Sequence, residues 1–311
     1  MYHLHLALPD LVVADPDSAA GALARLPVLE GLLARADRHA VQPDWRRWVL
    51  SLAGADAAPG DLPVARTIAA RAGLDVSTAA TWLVATPVTL LTGMASVHFD
   101  PAGPVTLAAD TAAAVVARFA AEFGDPSLTL ISADGTLLLR ASAEPFAVRT
   151  RDPAALSGLG LGEGRPEGDG AGRLERLMTE LQMWLHERPL VGSDGRRANA
   201  LWLWGGGAQP LAAGDRWPVL GCDDPFLAAA AAGSATDPRR FVEVWSVAEL
   251  VRAGRSFAAA DEHWFGPLAT RLRDGEVVRA EIHCAGLVHV LAPGQRWRLW
   301  RRTRPWWERL R

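Results

Sequence analysis

The chain reads as an α/β protein, a mixed sheet flanked by helices with a smaller α+β region beside it. Three observations predict this. Residues 199–207 read Asn-Ala-Leu-Trp-Leu-Trp-Gly-Gly-Gly. Four large apolar residues in a row cannot alternate between core and solvent, so they suit a strand buried on both faces, as in the middle of an α/β sheet. Apolar runs of strand length alternate with stretches of helical period along most of the chain. Half of the 311 residues are apolar and 22% are charged, which fits a globular chain large enough for one large or two medium domains.

Taken in order, Leu4 to Ala14 reads as a strand that Pro9-Asp10 ends. Ser18 is the N-cap expected for a helix over Ala19–Leu33. Trp45–Leu52 gives a second helix and Pro63–Ala72 a third, with Gly73 as its C-cap. Ala80–Pro87 and Ser96–Phe99 are β-like, and Asp100–Gly103 is a turn. Ala109–Phe123 is a helix with Ala112, Val115, Val116, Phe119 and Phe123 on one side. Leu128–Ile131 and Leu137–Ala141 flank Ala133-Asp134-Gly135, a hairpin signal. Residues 157–172 are glycine-rich without the Lys-Ser/Thr of a P-loop, and read as a loop or as a linker between regions 1–156 and 173–311. Arg173–His186 is an amphipathic helix with Leu174, Leu177, Met178, Leu181, Trp184 and Leu185 at helical spacing. Phe226–Ala232 and Ser246–Ala253 look helical, and so does Ala258–Arg271, broken near Gly266-Pro267. Val277–Cys284, Leu287–Leu291 and Trp297–Trp300 look like strands.

Composition narrows the chemistry. The chain has no lysine, so its 32 cationic side chains are all arginine. Schiff-base chemistry, a P-loop lysine and a lysine general base are thereby excluded. Cys222 and Cys284 are too few for a disulfide framework. No apolar run is long enough to cross a bilayer, and Met1–Leu6 lacks a cationic leader region, so a cytoplasmic location is expected. Net charge is −3, but residues 295–311 hold seven arginines against Glu308 alone. The rest of the chain is therefore acidic, at −9.

Glu180–His186 and Asn199–Gly207, together with Trp82–Val88, Gly93-Met94 and Arg149–Pro153, resemble a bacterial family of RpfE-type regulatory proteins, loosely labelled phosphoglycerate mutases. The resemblance runs from about residue 80 to about residue 210. The Asn199 segment is also similar to archaeal-type cofactor-independent phosphoglycerate mutases of the alkaline phosphatase superfamily. That resemblance implies an α/β core, two metal ions and a Ser or Thr nucleophile. The sequence departs from it where the metals would sit. Asp10 is followed by Leu11 rather than Gly, Asp223-Asp224 has no histidine beside it, and no Gly-His-Asp occurs. The expectation is a non-catalytic or catalytically degenerate phosphoglycerate mutase-like protein without a cofactor, in a regulatory or ligand-binding role. The alternative is an active mutase or phosphatase whose two divalent ions, such as Mn or Zn, rest on Asp10, Asp223, Asp224 and His263.

Candidate site residues follow from spacing. Gln182 and His186 stand one turn apart on a helix face, and with Asn199, Trp204, Gly205, Gly206 and Gly207 they would surround a small anionic ligand at the glycine turn. A protein partner is the other candidate. His283 and Cys284 are adjacent, hence on opposite strand faces, which argues against their joining His289 in a metal site. His3 and His5 do share a face. Arg296, Arg298, Arg301, Arg302 and Arg304, interleaved with Trp297, Trp300, Trp306 and Trp307, read as a last strand packed on the acidic body. They read alternatively as a surface for nucleic acid or membrane.

Overall fold

Two larger sheets organise the chain, and they follow different pairing rules. The computed structural model describes residues 1–11, 24–55, 60–76, 80–93, 96–142, 146, 148–208, 211, 214–298 and 300–309. The strands are β1 (Tyr2–Ala7), β2 (Asp37–Ala40), β3 (Thr81–Val88), β4 (Leu90–Thr92), β5 (Val97–Phe99), β6 (Leu128–Ala133), β7 (Thr136–Ala141), β8 (Leu190–Val191), β9 (Arg197–Ala198), β10 (Ala200–Trp204), β11 (Arg216–Gly221), β12 (Ala235–Val244), β13 (Val277–Cys284) and β14 (Leu287–Leu291). The helices are α1 (Pro27–Arg35), α2 (Trp45–Leu52), α3 (Val64–Arg71), α4 (Ala109–Glu122), α5 (Ala171–His186), α6 (Pro225–Ala231), α7 (Val247–Arg252), α8 (Gly266–Arg273) and α9 (Trp306–Arg309). They fall into two units, one of Met1–Asp56, Ala213–Asp223 and Gly233–Arg311, the other of Ala57–Ala212 and Asp224–Ala232.

The first unit is built on a mixed sheet of order β11-β12-β1-β13-β14-β2. β11, β12, β1 and β13 run parallel, and β14 and β2 close one side antiparallel. Strand period two sorts the side chains. Leu4, Leu6, Ala280 and Ile282 join Leu29 and Leu33 of α1, Leu268 of α8, Phe265 and Trp306 in one hydrocarbon core. The alternate residues His5 and His283 lie against Trp48 of α2, and His5 is hydrogen-bonded to Glu281. Asp44 starts α2 by accepting hydrogen bonds from Arg46 N and Arg47 N.

The second unit is an antiparallel sheet of order β10-β3-β7-β6. Leu83, Leu139, Leu201 and Leu203 pack beneath Val115 and Phe119 of α4 and Leu174, Leu177, Leu181 and Leu185 of α5. The β6–β7 hairpin turns at Asp134 and Gly135, both at positive φ (48° and 82°), as a type I′ turn requires.

The architecture departs from the expectations above in five places. β10 is buried at every residue, but it is an edge strand antiparallel to β3. Its outer face is covered by the 149–167 segment, where Trp202 Nε1 donates to Arg151 O and the Trp202 ring meets Phe99 edge-on. The glycine-rich residues 157–172 do not join two units; they pack inside the second. Arg149 and Glu167 exchange backbone hydrogen bonds, and a Cβ on Gly164 would stand 2.7 Å from Leu156 Cδ1. The α+β unit spans more of the chain than the parallel one, rather than less. Trp297–Trp300 forms no strand among its described residues, because Pro293 starts a 3-10 turn over Pro293–Trp297. β2, β11 and β12 are strands that the pattern did not announce. Ser18 and the first residues of the Ala19–Leu33 helix lie outside the described residues, as does Met94. No described helix is long and apolar enough to cross a membrane.

Candidate functional site

The glycine turn after β10 is filled by the chain itself. Gly205 takes a positive φ of 70°, and its carbonyl accepts a hydrogen bond from Ala65 N in the first turn of α3 at 3.1 Å. Gly207 N donates to Leu62 O. A Cβ on Gly205 or Gly206 would come within 2.7 Å of Val64 or Leu83, and one on Gly207 would overlap the Asp61 carbonyl. The glycines let two backbones touch and satisfy a buried N–H of the first helical turn that has no partner within the helix; they do not form an open cradle.

The other expected site residues divide. Asn199 is spent on structure: Oδ1 accepts from Leu90 N at 2.8 Å and Nδ2 donates to Leu90 O at 2.9 Å. Trp204 is buried and donates through Nε1 to Thr86 Oγ1. His186 is exposed in the last turn of α5, where a cationic imidazole would face the helix dipole favourably. Gln182 alone lines a concavity, a groove of about 210 Å³ beside β10. Leu161, Met178 and Trp202 supply its apolar wall, and Arg165, Glu175, Thr179 and Gln182 its polar groups.

Helix geometry explains the polar side. Glu175, Thr179 and Gln182 follow i, i+4, i+7 on α5, so they share one face while the leucines of that helix occupy the opposite one. Arg165 comes from the segment that Gly164 packs against Trp202. Neither Arg165 nor Glu175 makes an ion pair among the described residues. Sequence reasoning found Gln182 and missed Arg165, Glu175 and Thr179. The helical stripe was a usable signal for the last two; nothing local pointed to Arg165. A wider concavity of about 330 Å³ lies between Phe146 and α5. There Arg173 stacks over the Phe146 ring at 4.4 Å, and the Ser127 side chain and amide hold the Asp125 carboxyl below its usual range.

The residues that would carry two metal ions are engaged elsewhere. Asp10 accepts from Val247 N, Ala248 N and Ser246 Oγ, all within 2.9 Å, and so caps α7 across a long sequence gap. Burial pushes its carboxyl up, and these bonds oppose the shift. Asp224 Oδ1 caps α6 by accepting from Leu227 N, and His263 Nδ1 accepts from the Arg255 guanidinium at 2.8 Å. Burial first, then the charges of Asp10 and Asp223, raises the Glu249 carboxyl, so Asp223 adds negative charge to that neighbourhood. Among the described residues no three His, Cys, Asp or Glu side chains are placed to hold one ion. A two-ion cage does not fit them.

The remaining candidates are also accounted for. His283 Nε2 donates to Gln42 O, and its ring stacks on Trp48. Cys284 Sγ donates to Leu11 O, and burial pushes the thiol up. His289 is buried with no hydrogen-bond partner for either ring nitrogen among the described residues, and burial, then Arg38 and Arg309, lowers it to about 4. The arginine-rich end is split. Arg298 and Arg301 bind Asp37 and the carbonyls of Arg35 and Ala36, while Trp306 is buried with Nε1 on Ala24 O. Trp297 and Trp300 are 65% and 75% exposed, and Arg302 and Arg304 are exposed without an ion pair among the described residues. The Arg296 side chain lies outside the described ones.

A scan against protein-family models gave no match. A search of curated proteins gave none either. Two solved structures are similar to the chain. One is a cofactor-independent phosphoglycerate mutase from Thermoplasma acidophilum DSM 1728, at 14% identity over 94% of this chain and 90% of that one, with a TM-score of 0.37. The other is the PH0037 protein from Pyrococcus horikoshii, at 15% identity over 94% of this chain and 87% of that one, with a TM-score of 0.39. The chain is a mixed α/β protein.

Proposed function

We propose that this protein works by binding a small anionic ligand in the groove beside β10, in a regulatory role, as a phosphoglycerate mutase-like protein that does not turn substrate over. One observation carries the reading: Arg165, a guanidinium without an ion pair among the described residues, lines the groove together with an apolar wall and a polar helix stripe. A guanidinium grips a carboxylate or phosphate through paired hydrogen bonds. Leu161, Met178 and Trp202 shield that contact from water, and Thr179 and Gln182 offer donors and acceptors that fix orientation. Glu175 favours a ligand that also carries a hydroxyl or ammonium group. An occupant would tie α5 to the 161–166 loop, a local change that a partner can read. We place this activity in the cytoplasm.

The catalytic alternative requires Asp10 and Asp224 to leave two helix N-termini uncapped in order to hold Mn or Zn. Titration calorimetry with 3-phosphoglycerate and with inorganic phosphate tests the binding reading. Saturable binding of either is expected, weakened about tenfold or more by Arg165→Gln, the worth of a charge-assisted bond. No binding of either anion sinks it. Mutase and phosphatase assays with added Mn or Zn are expected to show no turnover, and robust turnover would restore the enzyme.

A further inference from the structure

We infer that Trp297, Trp300, Arg302 and Arg304 form a docking surface for an anionic lipid bilayer. The site is independent of the groove, which belongs to the other unit. Its shape comes from a clamp. Arg298 and Arg301 reach inward to Asp37 and to the carbonyls that end α1, and the Arg298 hydrogen bond holds the Asp37 carboxyl below its usual range. Trp306 locks the far side of the segment in the core. With those side chains turned inward, Trp297 and Trp300 point out, 65% and 75% exposed, and Arg302 and Arg304 flank them. Every other tryptophan among the described residues is buried or half-buried.

Two exposed indoles beside two outward arginines match the chemistry of a bilayer interface. An indole's apolar body and N–H suit the headgroup level, and guanidinium groups meet lipid phosphates. Charge selects the partner. Residues 297–309 carry five arginines against Glu308, whereas the chain outside 295–311 carries −9. A nucleic acid would have to extend beyond this small patch, and its affinity grows with the number of phosphates neutralised. Among the described residues two exposed arginines of the segment, Arg302 and Arg304, lack an ion pair, while a bilayer adds the burial of two indoles to their attraction.

The test is co-sedimentation of the full chain with vesicles of phosphatidylcholine, alone or with 30% phosphatidylglycerol, about a third anionic lipid. Binding to the anionic vesicles only, weakened by salt, is expected. Trp297→Ser with Trp300→Ser should lower the partition coefficient about tenfold or more. Arg302→Gln with Arg304→Gln should lower it about 25-fold, about fivefold for each charge. Both pairs are surface positions, and far-UV circular dichroism checks the fold. Absence of binding at low salt overturns the inference, and so does partition of both double variants at the level of the unaltered protein. Tighter binding of a single-stranded oligonucleotide through the same four residues also overturns it, and would assign the surface to nucleic acid.

Discussion

In the mostly parallel sheet of the first unit, the face opposite the leucine core carries His5 and His283 against Trp48, with Glu281 bonded to His5. In the antiparallel sheet, the face that meets α4 and α5 presents leucines and other apolar side chains. The contrast extends beyond those faces. Among the described residues the buried polar side chains are His5, Glu30, Arg46, Thr81, His283, His289 and Gln295, and only Thr81 belongs to the antiparallel unit. Two ionisable groups of that unit, Arg165 and Glu175, line the groove. The difference separates two kinds of fragility. The antiparallel unit should respond to changes of volume and hardly to pH, and the parallel unit should respond to both.

The largest effect expected is steric. Gly207→Ala places a methyl on the Asp61 carbonyl and within 2.7 Å of Leu62 C and Pro63 N, backbone atoms that cannot swing aside. A loss of about 4 kcal/mol is expected in urea unfolding, the scale of severe overpacking, and the same loss at pH 7 and pH 5. A cost below about 1 kcal/mol would show a loose turn and reopen the glycine run as a ligand cradle.

Next comes acid sensitivity in the parallel unit. Burial holds His289 at about 4, below the ordinary value of 6.5. Between those values the unfolded chain takes up a proton that the folded chain refuses, so stability falls as pH drops from 6.5 towards 4. The full loss is about 3 kcal/mol. Glu281 acts lower. Burial alone would raise it, but hydrogen bonds from His5 and Arg279 outweigh burial and hold it at about 2. Its contribution is complete above 4.5 and is lost as pH falls from there towards 2. His289→Leu should shrink the upper window, which His283, also lowered by burial, shares, and leave the lower one. A urea midpoint already flat between pH 6.5 and 4 in the unaltered protein would refute this account.

Smaller still is the cap on α7. Asp10→Ala removes three hydrogen bonds at that helix N-terminus and should cost about 1–2 kcal/mol. The pairing of β1 with β12 and β13 runs from residues 2 to 7 and stays intact. An unchanged midpoint would mean that Asp10 is free for another task, metal binding included.

The same contrast explains what was legible in the sequence. Trp45–Leu52, Val277–Cys284 and Leu287–Leu291 are predicted to the residue, because their period and their caps or turns are local. β12 was missed because Asp237, Pro238, Arg239 and Arg240 interrupt any alternation, and its pairing with β1 is more than 200 residues distant. The burial of β10 was legible from four apolar residues. Its edge position was not, since the 149–167 segment that covers it bears no strand or helix signal. Gln182 was found through its helix. Arg165 was not, because a glycine-rich stretch reads as flexible until a packed Gly164 fixes it.

That last point yields the finest test of the comparison, since residues 157–172 carry the only part of the groove outside regular structure that bears a charge. Arg149 and Glu167 form an ion pair with side chains 69% and 71% exposed, alongside reciprocal backbone hydrogen bonds. Exposed pairs gain little over hydration and are screened by salt. Arg149→Gln keeps the backbone exchange and should leave the urea midpoint and the anion affinity within experimental error. Gly164→Ala should not. Its methyl would stand 2.7 Å from the Leu156 side chain and 2.9 Å from the Trp202 ring. The leucine end can rotate, but the indole is held by its bond to Arg151 O, so the loop must give way and carry Arg165 with it. Weakened anion binding in Gly164→Ala beside full binding in Arg149→Gln identifies packing as what positions the groove. The reverse order would assign that task to the surface charges.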